Sequence, residues 1–194
     1  MKKLSLVVIL LLLVGTAASA HEGAISLYAD TGLNSCSLDI EPPTGSGTLW
    51  LLYVRGDGVE MGKAAEFRVI CTSAAIMFFA PTWEPYITLT SGSIPGNMTL
   101  SGDSNFGCGL DVVPLGSFMI FNPSDPDTFF VKVVDNPTSV AGPGIYITDC
   151  SDQNNEVKVT GGTFVCTGDP VGFPANCNPA VESSSWGAIK DMYK

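Results

Sequence analysis

The chain has a single histidine, His21, and this limits the catalytic and metal chemistry that it can perform. Cleavage of residues 1–20 as a signal peptide would leave His21 at the N-terminus. An N-terminal histidine can bind Cu(II) through its amine and imidazole, but a tetragonal copper site needs a second imidazole. Nucleophilic triads also need a histidine base beside the serine or cysteine. The cysteines include no C-x-x-C pair of the kind that is typical of zinc sites. We therefore expect a protein that is not an enzyme.

The acidic residues are the most plentiful candidate ligands. Asp149, Asp152, Asn154 and Glu156 lie in one polar loop, and Ca²⁺ prefers several carboxylate and amide oxygens. The loop lacks the spacing and central glycine of an EF-hand, and a solvated polar turn explains the same residues. We expect no cofactor, with calcium in this loop as the one candidate. The 19 acidic residues also leave open a carboxylate pair for glycoside hydrolysis, although no pair stands out.

A short aromatic loop is the candidate ligand-binding site. Trp83, Glu84 and Tyr86 surround a proline between two predicted strands. The two rings could stack on a sugar while the carboxylate binds its hydroxyl groups. Large aromatic side chains are highly buried on average, so both rings could instead cap the end of the core.

The first twenty residues resemble a secretory signal peptide. Lys2 and Lys3 precede an apolar run over 4–14, and Ala18, Ser19 and Ala20 supply the small residues that a signal peptidase recognises. The run is too short for a membrane span, so we expect cleavage after Ala20 and no stable span thereafter. The expected location is extracellular, periplasmic or at the cell surface.

Six cysteines lie beyond the signal peptide, at Cys36, Cys71, Cys108, Cys150, Cys166 and Cys177. An even number of cysteines in an exported chain predicts disulfides, because the compartment is oxidising. Proximity in the sequence favours the pairs Cys166–Cys177, Cys36–Cys71 and Cys108–Cys150.

The charge balance excludes one class of partner. The whole chain has a formal net charge of −10, and loss of Lys2 and Lys3 makes it about −12. Such a surface repels phosphate backbones, so we expect no nucleic-acid binding. The partners that remain are a glycan or a cell-surface protein.

The pattern of the chain is all-β. Only 14% of the residues are charged, and 21 glycines and 13 prolines separate short runs of β-branched and aromatic residues. We predict strands over 24–29, 36–40, 48–55, 66–71, 76–80, 86–90, 97–101, 117–121, 129–134, 145–148, 156–160 and 163–166. The run 48–55 is apolar on both faces, which predicts a central covered strand with Trp50 in the core. Gly161 and Gly162 predict a hairpin turn between the last two strands.

The C-terminal segment has a different pattern. Trp186, Ile189 and Tyr193 fall on one face of a short predicted helix, which must dock on its own domain or on a partner. The predicted organisation is therefore a signal peptide over 1–20, a disulfide-stapled two-sheet β-sandwich over 21–177, Ig-like or jelly-roll-like, and a linker with the short amphipathic helix over 178–194.

Three stretches resemble a functionally uncharacterised family of exported bacterial proteins. They are GAISLYAD with NSCSLDI (23–40), IYITDC (145–150) and SSWGAIKDMYK (184–194). Members of this family have spaced cysteines and end in a Trp-Gly-x-Ile-Lys-x-x-Tyr tail. The resemblance implies export, oxidised cysteines and a C-terminal sorting or anchoring tag.

Together these observations favour a secreted, non-enzymatic extracellular or cell-surface module with a structural, adhesion or display role. The second hypothesis is a carbohydrate-binding module that uses the aromatic loop. The third is a glycoside hydrolase-like enzyme with a carboxylate pair.

Overall fold

The computed structural model describes residues 23–43, 45–56, 59–125 and 127–167. The predicted signal peptide, Cys177, the linker and the C-terminal helix with Trp186, Ile189 and Tyr193 lie outside the described residues. Within them the chain is all-β, as predicted, with strands β1 (Ala24–Tyr28), β2 (Ser37–Asp39), β3 (Gly45–Val54), β4 (Met61–Cys71), β5 (Met77–Phe78), β6 (Thr82–Trp83), β7 (Ile87–Gly92), β8 (Gly96–Gly102), β9 (Val112–Asn122), β10 (Phe129–Val134), β11 (Ile145–Asp149), β12 (Glu156–Gly161) and β13 (Thr163–Thr167).

The strands form two layers. The β3 sheet contains β1, β3, β9, β5 and β6, and the β4 sheet contains β7, β8, β4, β10, β11, β12, β13 and β2. A parallel pairing between β1 and β12 joins the two layers. Strands β10 and β11 lie end to end along the same edge of β4, with the loop 135–144 between them. No helix long and apolar enough to cross a membrane occurs in the described part of the chain.

The alternation of side chains along each strand builds the core. In β4, Phe67 and Val69 are fully buried, whereas Glu66 is only half-buried and Arg68 is exposed. Successive side chains in a strand point to opposite faces, so one face of each sheet packs inward. The inward faces of both sheets meet in one continuous apolar cluster. This confirms the predicted two-sheet β-sandwich.

Strand β3 differs from its prediction in one respect. Leu49 and Leu51 point into the core and are fully buried. Trp50 lies between them in the sequence and therefore points outward, where it is half-buried opposite Ser117 of β9. The prediction that Trp50 is a core residue is wrong, because apolar composition on both faces does not show which face is inward.

The predicted hairpin at Gly161 and Gly162 is also wrong. Strand β12 pairs with β11 and β1, whereas β13 pairs with β10 and β2. The two strands follow each other along the chain but are not paired with each other, so they form no hairpin. The two glycines are needed for close approach. A Cβ at Gly161 would lie 2.0 Å from the carbonyl oxygen of Val133, and one at Gly162 would lie 1.7 Å from Oγ of Ser26.

Candidate functional site

The outward side of the β4 sheet is the broadest candidate binding surface. It extends from β7 across β8 and β4 to β10 and β11, because these strands are hydrogen-bonded neighbours. We name it the β4 outer face. Its side chains mix apolar, hydroxyl and charged groups, and its main members are Leu89, Thr99, Ser101, Glu66, Arg68, Ile70, Phe130, Lys132 and Tyr146.

Glu66 lies at the centre of this face. The register places it directly between Thr99 of β8 and Tyr146 of β11. One carboxylate oxygen, Oε2, is buried and has no hydrogen-bond partner among the described residues. The three side chains also line a shallow depression of about 50 Å³. A buried acceptor without a donor is costly, so this position is suited to a donor from a binding partner.

Arg68 is the next outward residue of β4. It is exposed and forms no salt bridge within the described part of the chain. The cation Lys132 lies on the neighbouring β10, opposite Ile70, with its Nζ 5.3 Å from the centre of the Phe130 ring. An acceptor, a free guanidinium and apolar side chains therefore share one surface. Protein–protein interfaces use mixed apolar and polar contacts of this kind.

The aromatic loop adopts the geometry of a core cap. Trp83 and Tyr86 both pack against the core cluster and are half-buried. The Tyr86 ring stacks on Phe106 with its centroid at 4.6 Å, and its hydroxyl donates to the carbonyl of Pro114. Burial raises the pKa of Tyr86 to about 12. Glu84 uses its backbone N–H to bond the carbonyl of Leu115. The Tyr86 ring thus uses one face inside the protein, and Trp83 packs against the core.

In the acidic loop, two aspartate side chains accept hydrogen bonds from backbone N–H groups of the same loop. Oδ1 of Asp149 accepts from the N–H of Ser151 at 2.9 Å, and Oδ1 of Asp152 accepts from the N–H of Asn154 at 3.0 Å. Glu156 is exposed at the start of β12. Among the described residues these carboxylates do not gather into a group of three. The arrangement is that of hydrogen-bonded polar turns.

One predicted disulfide is present. Cys108 and Cys150 are bonded with their Cα atoms 5.7 Å apart, which ties the loop before β9 to the end of β11. Glu60 lies beside this pair, and the three form the one cluster of ligand-type side chains found in the described ranges. Because both sulfurs are bonded to each other, they do not act as thiolate ligands.

The predicted Cys36–Cys71 disulfide is not formed. Among the described residues, Cys36, Cys71 and Cys166 form no bond to another cysteine. Cys36 directly precedes β2, and Cys71 ends β4. Strands β13 and β10 lie between β2 and β4, so the two cysteines are too far apart for a disulfide. Proximity in the sequence did not reveal this strand order. The third predicted pair involves Cys177, which lies outside the described residues.

Comparison with known proteins identifies the fold. No family model and no curated protein match the chain. Among solved structures, it is similar to a cohesin module from a Clostridium perfringens family 33 glycoside hydrolase, with a TM-score of 0.54 and 7% identity over 76% of this chain and 96% of that chain. It is also similar to the sixth cohesin of Acetivibrio cellulolyticus scaffoldin B, solved in complex with a Cel5 dockerin (TM-score 0.51, 9% identity, 76% and 99% coverage).

A third similar structure is a type III cohesin module from a cell-surface anchoring scaffoldin of Ruminococcus flavefaciens, with a TM-score of 0.51 and 14% identity. The similarity covers 78% of this chain and 89% of that module. At such low identities the comparison concerns the architecture alone. The chain has a cohesin-like β-sandwich fold.

Proposed function

We propose that the chain is a secreted, non-catalytic module that binds a partner protein on the β4 outer face. The observation that carries this proposal is the combination on one strand of Glu66, with a buried acceptor oxygen lacking a donor, and Arg68, an exposed cation lacking a salt bridge. Both side chains project from the middle of a wide sheet surface.

The surrounding side chains suit a protein interface. Leu89 is 67% exposed on β7, and Tyr146 and Ile70 are half-buried on the same face. Tyrosine and arginine are enriched among the residues that dominate binding energy, and they act within an apolar surround. A partner could donate a hydrogen bond to the Glu66 carboxylate and place a carboxylate beside the Arg68 guanidinium. Both side chains would then have an interaction partner.

The cohesin-like fold supports the same class of function. The Acetivibrio cellulolyticus cohesin was solved with a dockerin bound, so that module holds a protein partner. The Ruminococcus flavefaciens module belongs to a cell-surface anchoring scaffoldin. We extend the analogy to location as well, and place this chain outside the cell or at its surface, in a scaffolding, adhesion or display role. The predicted signal peptide supports that location.

Site-specific photo-crosslinking tests the proposal. A photoreactive residue is placed at Leu89, on the β4 outer face, and the full chain is expressed in its own host. The matched control carries the residue at Leu110, which is 45% exposed in the loop before β9. We expect one discrete protein adduct from position 89 that is absent from position 110 and lost when Arg68→Glu is added.

Two outcomes contradict the proposal. Equal adducts from positions 89 and 110 would mean that the β4 outer face has no special role. A glycan array that binds the wild-type protein, together with no protein adduct at position 89, would favour the carbohydrate-binding hypothesis instead.

A further inference from the structure

Strand β4 runs past the end of its neighbour β8. The pairing of the two strands stops at Val69, which lies opposite Gly96, and β4 continues through Ile70 to Cys71. On the other side β4 stays paired with β10 up to Cys71, which lies opposite Val131. Within the described residues, this end of β4 therefore has one open edge, on the side where β8 has stopped. We name the open edge at Ile70 and Cys71 the β4 notch.

The backbone groups of Cys71 point into the β4 notch. The N–H of the next residue, Thr72, donates to the carbonyl of Phe130 on the β10 side at 3.0 Å. Successive residues of an antiparallel strand turn their N–H and C=O groups to opposite edges, so those of Cys71 turn to the β8 side. A polypeptide segment that continues the line of β8 would pair with them, which is how a bound peptide extends a sheet.

A cavity of about 340 Å³ lies at the β4 notch. Val69 and Ile76 are buried in its lining, and Phe78 is half-buried there, so its inner part is apolar. Ala74 and Pro95 line it as well and are exposed. Sites for free small molecules enclose most of their ligand. A cavity with an exposed rim is better suited to one apolar side chain that stays attached to a larger partner, as interface anchors do.

The charged side chains at the cavity are cationic. Arg68 is the one charged residue of its lining in the described part of the chain. Lys132 of β10 lies opposite Ile70, which also lines the cavity. Neither cation forms a salt bridge with another described residue. Behind the lining, the carboxylate of Asp125 accepts a hydrogen bond from the hydroxyl of Ser73 and is thus already engaged. A carboxylate on the bound segment would therefore lie best beside Arg68.

We propose that the partner of the β4 outer face inserts an extended segment into the β4 notch, with one apolar side chain in the cavity and a neighbouring carboxylate beside Arg68. The inference rests on the proposed function, because Arg68 belongs to both surfaces. Each part of the occupant follows from one observation. The open strand edge selects a polypeptide, the lining by Ile76 and Phe78 selects an apolar side chain, and the unpaired cations select an acidic neighbour.

Filling the cavity tests the inference in the crosslinking assay. Ala74→Trp places a large side chain on a residue that lines the cavity. Ala75→Trp is the matched control, because it makes the same change at the next exposed residue, which is outside the lining. We expect Ala74→Trp to reduce the adduct from position 89 by about tenfold and Ala75→Trp to leave it unchanged. The circular dichroism melting curve of each variant shows that it is folded.

A short peptide provides a second readout. The probe is a capped pentapeptide with one phenylalanine between two aspartates, titrated into the isotope-labelled mature protein and followed by NMR. Its controls replace the phenylalanine by alanine or both aspartates by lysine, and phenylacetate represents a free small anion. We expect the amide signals of Ile70, Cys71 and Gly96 to shift, with an affinity about tenfold above that of each control and of phenylacetate. Arg68→Gln should weaken the binding of the probe by about tenfold.

Three results overturn the inference. They are an adduct from position 89 that persists in Ala74→Trp, phenylacetate that binds as tightly as the peptide, and a peptide that leaves the amide signals of the β4 notch unshifted. Each of these leaves the adduct of the wild-type protein in place, so the proposed function stands. The absence of an adduct from position 89 in the wild type rejects the proposed function itself, so the two failures are distinguishable.

Discussion

Substitution of Asn122 should destabilise the fold more than substitution of most other polar residues. Its side chain is 1% exposed at the end of β9. Nδ2 donates to the carbonyl of Ile40 at 2.8 Å and to the carbonyl of Asp125 at 2.7 Å. Oδ1 accepts from the N–H of Asp125 at 2.8 Å and from that of Ser124 at 3.3 Å. This one amide holds the loop after β9 and the segment before β3 together.

Replacing Asn122 by alanine removes all of these bonds at once. Each buried hydrogen bond is worth about 1 kcal/mol net, and the abandoned backbone groups add their own desolvation cost. Three short bonds are lost, so Asn122→Ala should lower the free energy of unfolding by about 3 kcal/mol.

Urea denaturation followed by tryptophan fluorescence measures this loss. The matched control is Asn34→Ala, because Asn34 is exposed and its Nδ2 donates only to Oδ1 of Asp30 at 3.2 Å. That change should cost less than about 0.5 kcal/mol. The reasoning is refuted if Asn122→Ala costs less than about 1 kcal/mol or no more than the control.

Three further outcomes are expected. Removing the Cys108–Cys150 disulfide by a double change to alanine should lower the free energy of unfolding by about 4 kcal/mol, because the bond closes a sequence separation of 42; equal urea midpoints for the variant and the wild type would contradict this. Burial raises the pKa of Tyr53 and Tyr86 from 10.0 to about 12, so the folded state keeps both protons longer than the unfolded chain. The stability present below about pH 10 should then be lost as pH rises to about 12, and ultraviolet titration should show two tyrosines that ionise late. In the reduced protein the thiol of Cys166 is fully buried, and burial raises its pKa, so iodoacetamide should modify it only after unfolding, as peptide mapping would show.

The sequence predicted the strands well because the alternation is local. The alternation over 66–71 puts Phe67 and Val69 on one face of a strand and Glu66 and Arg68 on the other, and the structure has the same division. Strand order is not local. The Cys36–Cys71 pairing and the hairpin at Gly161 failed because each depended on which strands are neighbours.

The candidate site shows the same limit. Glu66 and Arg68 could be assigned to one face of a strand, but their significance depends on Thr99 and Tyr146, which come from distant parts of the sequence. Trp83 was expected either to bind a sugar or to cap the core, and the structure packs its side chain against the core.

The parallel pairing of β1 with β12 has a mechanical consequence. Ala24 is paired with Thr160 and Ile25 with Gly161, so β1, the first strand, and β12, the strand before the last one described, lie side by side and point the same way. A force that pulls the two ends of the domain apart slides these strands along each other. The bonds from Thr160 to Gly23 and from Gly162 to Ile25 then carry the load together instead of breaking one after another. In a module held in a chain of other domains, this pair of strands would resist a pull on the N-terminal end of the fold.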